Sequence, residues 1–351
     1  MVEFQLGIGT RKGLFLARSE DGESWELSTP KFPMEAVRAL ALTPSKVYAA
    51  AVNEHFGPTI ATSGDFGETW SEPDHAPVAF PEDTETALEG IWQIVIAGDV
   101  VYAGVEPSAL FRSEDGGGTF GLVRGLWDHE HRPHWTPGGG GQMIHTILPH
   151  PADPGRITVA MSTGGVYRTE DGGKSWTAAN RGISAGFLPG EEPEFGQCVH
   201  KVAMHPSRPE RFFLQNHGGV YRSDDDAKTW KSIADGLPND FGFAMVVHPS
   251  EPDTVYNFPL VADALRFPPE GRCRVYRSED AGETWTGLGN GLPDKGFYAG
   301  VLRDGMCVDA RGGVYFGTRS GEVWASPDEG DTWHQVAAHL PDVLCVRAQV
   351  V

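Results

Sequence analysis

One octapeptide pattern, Ser-x-Asp-x-Gly-x-Thr-Trp, recurs along the chain and restricts it to a repeat architecture. It is complete at Ser63–Trp70, Ser278–Trp285 and Ser326–Trp333. Ser113–Phe120 closes on Phe, Thr169–Trp176 opens on Thr, and Ser223–Trp230 carries Ala227 where the others have Gly. A seventh copy, Ser19–Trp25, is one residue shorter. The closing aromatics stand at 25, 70, 120, 176, 230, 285 and 333, spaced 45 to 56 residues apart. A period of this size marks stacked supersecondary units, none of which can bury its apolar face alone.

Each copy sits between two short runs of strand character. Val166-Tyr167-Arg168, Val220-Tyr221-Arg222 and Val275-Tyr276-Arg277 precede it, and alternating residues follow. The pattern therefore reads as strand–turn–strand. Its Asp accepts backbone N–H groups inside a tight turn, and its Gly supplies positive φ. The closing Trp is a core anchor: burying one removes roughly 150–250 Å² from water, an upper bound of about 4–6 kcal/mol. Two further runs complete each unit. One ends in a His-Pro turn, as in Ile144–His150, Val199–His205 and Ala244–His248. The other follows it, as in Ile157–Met161 and Arg211–Gln215. Four antiparallel strands in each of seven units predict an all-β, seven-bladed β-propeller occupying residues 1–351 as one domain. The chain opens on strands two to four of a blade and ends on a lone first strand, Val343–Val350. The last strand is expected to complete the first blade and close the ring, which protects the sheet edges and fits a monomer.

Composition narrows the function. The 351 residues include 45 Gly, 26 Pro and 10 Trp, without a Gly-X-Y period, and 40% are apolar. Collagen and wholesale disorder are excluded. The formal charge is −20 with no basic run, which argues against nucleic acid and anionic membrane surfaces as partners. No stretch approaches the roughly 20 apolar residues of a membrane helix. Met1–Gly13 has no basic head before an apolar stretch, so no signal peptide is expected. Cys198, Cys273, Cys307 and Cys345 are widely spaced with no CxxC, the usage of a reduced cytoplasmic protein.

The octapeptides resemble the Asp-box, or bacterial neuraminidase repeat. That resemblance implies the propeller; it extends equally to sialidases, xyloglucan-cleaving glycosidases, sortilin-type receptors and photosystem assembly propellers, so it does not imply one reaction. Gly9–Phe15, Leu88–Gln93 and Gly196–His200 resemble bacterial single-domain propellers described as sialidase-like or glycosyl-hydrolase-like without a defined substrate. A true sialidase is disfavoured, because no Arg-Ile-Pro segment occurs and no arginine triad can be assigned.

Topology says which end of the propeller to search. Octapeptide and His-Pro turns share one face. The loops between strands two and three, and from strand four to the next blade, share the other. The long ones, Glu72–Ala87, Gly121–Gly141, Arg181–Gly196 and Leu260–Gly271, all lie there, and long loops carry function. His150, His205 and His248 sit in turns and read as structural, and His334 and His339 as surface. His55, His75, His129, His131, His134, His145, His200 and His217 fall on the other side. Counting six residues back from each turn Pro, or from its equivalent where the turn has no Pro, places Arg38, Trp92, His145, His200, Phe243 and Asp304 in a ring around the channel, with Cys345 from the last blade. A hydrated structural channel is the alternative for such a set.

The segment Trp127–Trp135 holds His129, His131 and His134 between two Trp. It reads as a lid with a sugar-stacking platform. His129, His131, His145 and His200 are the candidates for a divalent metal, for which H-x-H is a weak signal. Glu89, Glu106 and Asp304 are the candidate acid/base residues, with Glu89 and Glu106 paired because they share a blade. Arg38, Trp92, His129, His131, His145, His200 and His217 are the ligand-binding candidates. The expected function is a propeller binding a small polar ligand, a carbohydrate or sugar acid, with glycosidase-like hydrolase or lyase chemistry. The alternative is a non-catalytic interaction propeller, which predicts an exposed aromatic patch around Trp127, Trp135 and Phe187.

Overall fold

The computed structural model describes every residue except 1, 54–56, 72–74, 187, 189–192 and 263, and the side chain of residue 53. Seven antiparallel sheets form the blades. Their innermost strands are Val343–Val350 (blade 1), Ala36–Thr43 (blade 2), Gly90–Ala97 (blade 3), Ile144–His150 (blade 4), Val199–His205 (blade 5), Phe241–Val247 (blade 6) and Met306–Val308 (blade 7). These touch one another in order around the ring. Among the described residues blade 2 has three strands, and a single bridge between Thr62 and Ser71 marks its fourth position. Ring closure is as expected: Val343–Val350 pairs antiparallel with Phe4–Thr10, from Phe4 opposite Val350 to Thr10 opposite Val343.

The core is distributed. Among the described residues it forms seven apolar clusters, and each joins two neighbouring blades. Phe258, Phe316 and Trp333 join blades 6 and 7. Leu6, Tyr315 and Val346 join blades 7 and 1, and Leu14, Val37 and Cys345 join blades 1 and 2. Closure thus completes two interfaces at once.

The repeated turns are built by their own side chains. The Ser63 hydroxyl donates to Asp65 Oδ1 (2.8 Å) and accepts the Gly67 N–H (2.7 Å). Asp65 accepts the Thr69 N–H (2.9 Å) and hydroxyl (2.6 Å). Thr69 and Ser63 together hold the Asp65 carboxyl down to about 2. Asp115, Asp171, Asp225 and Asp280 repeat the arrangement. Two consecutive residues are left-handed in these turns, such as Phe66 and Gly67 (φ 52° and 84°) or Ala281 and Gly282 (60° and 91°). In blade 5 the second position is Ala227, at φ 58°. A Cβ in that region costs about 1–2 kcal/mol. Ala227→Gly is therefore expected to raise stability by about 0.5–1 kcal/mol after the greater chain entropy of Gly is offset. A urea midpoint checks this; a lowered midpoint would mean that packing of the buried Ala227 methyl dominates.

The His-Pro turns have the structural role expected of them. Nδ1 of His150, His205 and His248 accepts the N–H of Ala152, Ser207 and Ser250 respectively (3.2, 3.1 and 3.3 Å).

Candidate functional site

The channel ring is built from aligned β-bulges. In six blades the innermost pairing loses register near the functional end, and in blades 4 and 5 it does so again at the far end of the strand. The residues left over are Arg38, Trp92, His145, His200, Phe243 with Ala244, and Leu344. A bulge sets two residues against one and re-aims a side chain. The ring expected from the sequence falls on these bulges in blades 2 to 6. In blade 1 the ring residue is Leu344 rather than Cys345. Cys345 is fully buried between blades 1 and 2, its Sγ 3.8 Å from the Val37 carbonyl. Asp304 lies ahead of the short inner strand of blade 7.

A cavity of about 400 Å³ opens at this end of the channel. Its lining comes from ring positions (Arg38, Trp92, Leu344), from second-to-third loops (Arg11, Arg266, Arg319), and from the loop entering blade 4 (Gly139 to Gly141). Leu302, Arg303, Asp304 and Glu106 complete it. Five guanidinium groups thus face one cavity in a chain whose formal charge is −20. Arg38 lies over the Trp92 ring at 5.2 Å. Burial pushes Arg38 below its ordinary pKa, and Arg11 and Arg319 push it further. Glu106 acts on Arg38 in the opposite sense.

The two carboxylates on the cavity are pushed in opposite directions. Glu106 Oε2 accepts the Trp92 indole N–H at 2.8 Å. Burial raises Glu106 above the ordinary value and Glu89 adds to the rise, against the Trp92 bond and the Gln142 N–H. Burial alone would raise Asp304 too, but Lys201 and Arg347 outweigh it and hold this carboxyl well below the usual range. Asp304 Oδ1 accepts from Lys201 Nζ (2.8 Å) and Arg347 Nη2 (2.6 Å). That triad joins blade 5 to blades 7 and 1, which no sheet pairing connects. Glu89 itself is exposed and off the cavity lining, so the pair facing the cavity is Glu106 with Asp304 rather than Glu89 with Glu106.

Gly141 closes over Glu106. Its φ is 94°, and a Cβ there would collide with Glu106 Oε1. Gly141→Ala should displace either the loop or the carboxylate and cost about 1–3 kcal/mol of stability, with ligand affinity falling as well. Thermal melts with and without ligand test it; an unchanged Tm and affinity would show that the loop tip is free to move.

The histidines divide. His145 is fully buried: Nε2 donates to the Val199 carbonyl (2.9 Å) and Nδ1 accepts from Thr146 Oγ1 (3.1 Å). Both nitrogens are engaged, which closes His145 as a ligand. His200 lines a second cavity of about 310 Å³ with His217, Cys198, Phe241 and Phe243. Gly139 to Gly141, Arg266 and Arg303 border both cavities. His129 and His131 stand elsewhere. The turn Arg124–Trp127 carries their loop onto the side of blade 4, where His131 Nδ1 meets the Tyr167 hydroxyl at 3.0 Å and His129 Nε2 meets the Trp176 carbonyl at 3.2 Å. They pack with Trp135 and Phe195 and do not join His145 or His200. Trp127 and Trp135 are each only 6% exposed, so they form neither a platform nor the surface patch of an interaction propeller. Phe187, His55 and Asp263 lie outside the described residues.

Arg11, Arg266, Arg303, Arg319, Lys201 and Cys198 are site residues that the sequence reading does not single out. A signal existed for two of them. Gly9-Thr10-Arg11 and Gly317-Thr318-Arg319 repeat in the same loop of blades 1 and 7, and both arginines pair with Asp342. For Arg266, Arg303 and Lys201 no local pattern distinguishes them from surface residues.

No family model matches the chain. It is 27% identical over 190 residues to a xyloglucanase of Hypocrea jecorina, which covers 48% of this chain and 20% of that protein. It is 33% identical over 101 residues to an oligoxyloglucan-reducing end-specific xyloglucanase of Emericella nidulans, covering 26% of this chain and 11% of that one. The chain thus spans a fifth or less of these two relatives. Among solved structures, a GH74 xyloglucanase from Xanthomonas campestris matches with a TM-score of 0.65 at 18% identity, over 95% of this chain and 52% of the other. YCF48 bound to D1 peptide matches with a TM-score of 0.54 at 15% identity, over 85% and 81%. At these identities the structural likeness establishes the propeller fold.

Proposed function

We propose that the channel mouth binds an anionic saccharide and cleaves it in a glycosidase-like reaction with Glu106 as general acid. The observation that carries this reading is the cavity lined by Arg11, Arg38, Arg266, Arg303 and Arg319 around the Trp92–Glu106 pair. Guanidinium groups recognise carboxylates in bidentate fashion, and an indole supplies a stacking face for a sugar ring. Glycoside hydrolysis uses two carboxyl groups, one kept protonated and one ionised. The opposite displacement of Glu106 and Asp304 supports that division. Glu106 gives its proton to the glycosidic oxygen as the C–O bond breaks, Asp304 stabilises positive charge on the sugar, and water adds to the anomeric carbon while giving one proton back to the Glu106 carboxylate. The sequence similarity to xyloglucanases supports a carbohydrate as ligand class, and the arginines favour an acidic sugar over a neutral one. The protein is an Asp-box propeller acting as a monomer in the cytoplasm on this reading.

The same arginines favour a second reading, elimination across a uronic acid. They would stabilise charge on the sugar carboxylate while a base removes the adjacent proton and the glycosidic oxygen leaves. An unsaturated product, visible by ultraviolet absorbance, distinguishes it from hydrolysis.

Calorimetry against uronic-acid oligosaccharides and neutral xyloglucan oligosaccharides tests the binding step. The acidic series is expected to bind, more weakly as salt rises. Arg38→Ala should weaken it at least about 30-fold, the equivalent of ~2 kcal/mol for a lost charge-assisted contact. Equal affinity for neutral and acidic sugars, or none for either, overturns the reading.

A further inference from the structure

We propose that Cys198, His200 and His217 form a zinc-class metal site in blade 5 that opens onto the second cavity. The Cys198 sulfur and one nitrogen from each imidazole lie within 4.8 Å of one another. Cys198 Sγ and His200 Nε2 are 3.6 Å apart. A tetrahedral centre with Zn–S near 2.3 Å and Zn–N near 2.0–2.1 Å requires an S–N edge of about 3.6 Å. The two side chains are thus already placed as one edge of such a centre.

The hydrogen bonds set the ligating nitrogen. His200 Nδ1 donates to the Gly242 carbonyl at 2.6 Å, which leaves the lone pair on Nε2, the atom facing Cys198. A metal-bound histidine characteristically donates its other N–H to a carbonyl in this way. His145 occupies the equivalent bulge one blade earlier, and there the ring is turned round: Nε2 donates to Val199, and no lone pair is left over.

The backbone brings the third ligand in. His217 follows the second strand of blade 5, and its N–H donates to the Cys198 carbonyl at 2.9 Å. Phe243 stacks on the His200 ring at 4.4 Å, and Phe241 presents an edge to both imidazoles at 5.8 and 5.2 Å. These rings line the cavity of about 310 Å³ together with the three ligands.

One thiolate and two imidazoles suit zinc or cobalt and exclude the hard cations calcium and magnesium. Binding releases the Cys198 thiol proton to solvent. Three protein ligands leave a fourth position facing the cavity, the open arrangement of a metal that takes water or a substrate atom. Arg266 and Arg303 border that cavity, so the fourth ligand is expected to be an anion that the metal and a guanidinium share.

The test uses the whole chain, stripped with a chelator and titrated with zinc and with cobalt. One equivalent of zinc should bind and raise Tm, and cobalt should give intense tetrahedral visible bands with a thiolate charge-transfer band in the near ultraviolet. Cys198→Ser should abolish the charge-transfer band and weaken zinc at least about 100-fold. His217→Ala, on a loop, should weaken zinc similarly and serves if the Cys198 variant does not fold. His131→Ala, in the outer histidine cluster, should leave zinc stoichiometry unchanged. Failure of the wild-type chain to take up zinc or cobalt overturns the proposal. So does wild-type zinc affinity in both Cys198→Ser and His217→Ala.

Discussion

Asp304→Asn is expected to lower the unfolding free energy by about 3–5 kcal/mol, the largest single-site loss outside the apolar core. Asn keeps the shape but leaves Lys201 and Arg347 facing each other without a counter-charge. Their side chains are 10% and 21% exposed, and Asp304 only 7%, so water does little to screen the imbalance. The sign of the pH dependence follows from the depressed carboxyl. Between the folded pKa and the ordinary value near 3.9, the unfolded chain binds the extra proton, so stability rises with pH there. The contribution of Asp304 is complete above about pH 5 and is lost as pH falls toward the folded pKa. The gap between wild type and variant in urea unfolding should therefore be widest at neutral pH and narrow below about pH 4. Replacing all three residues together, with Lys201→Met, Asp304→Leu and Arg347→Leu, should recover most of the loss, because no uncompensated buried charge remains. A gap under 1 kcal/mol at pH 7 would show that the triad does not tie the blades together.

Glu106→Gln is expected to lower the turnover rate by about 10²–10⁴-fold while saccharide affinity changes by less than about 10-fold. Gln still accepts the Trp92 N–H, so the stacking face and the Gly141 turn keep their positions. What is lost is the transferable proton. The raised Glu106 pKa also predicts a rate that falls on the alkaline side at a higher pH than an exposed glutamate would give. Glu89→Gln removes the negative charge that contributes to the rise, and should move that alkaline limb toward lower pH. A Glu106→Gln variant with wild-type turnover would remove Glu106 from the chemistry and leave the cavity as a binding site.

Much of the site was legible in one dimension, and the misses have physical causes. Counting back six residues from the turn after each first strand finds Arg38, Trp92, His145, His200 and Phe243, because each blade repeats the same strand length and the same bulge. Cys345 was missed by one residue, since the pairing of Val343–Val350 with Phe4–Thr10 places the bulge at Leu344. His129 and His131 shared a loop with the channel entrance in sequence but not in space, because Trp127 and Trp135 anchor that loop in the apolar clusters of blades 2 to 4. The four cavity arginines other than Arg38 were hidden by the net charge. A sum of −20 describes the whole surface, whereas the cavity gathers cations from blades 1, 2, 6 and 7. Cys198 carried no motif, since its partners are one residue beyond its neighbour and nineteen residues on, across a strand pairing.

The blade count, the turn chemistry and the closing role of the last strand were determined by the sequence alone. The interactions responsible are local: each octapeptide satisfies its own turn within eight residues, and each His caps the turn that follows it. The functional end was decided only by tertiary structure. Asp304 meets Lys201 across 103 residues and Arg347 across 43, and Glu106 meets Gly141 across a blade boundary. Glu106, Gly141 and Asp304 share a cavity only once the ring is closed, and the charge on Asp304 is set by Lys201 and Arg347, neighbours distant in sequence.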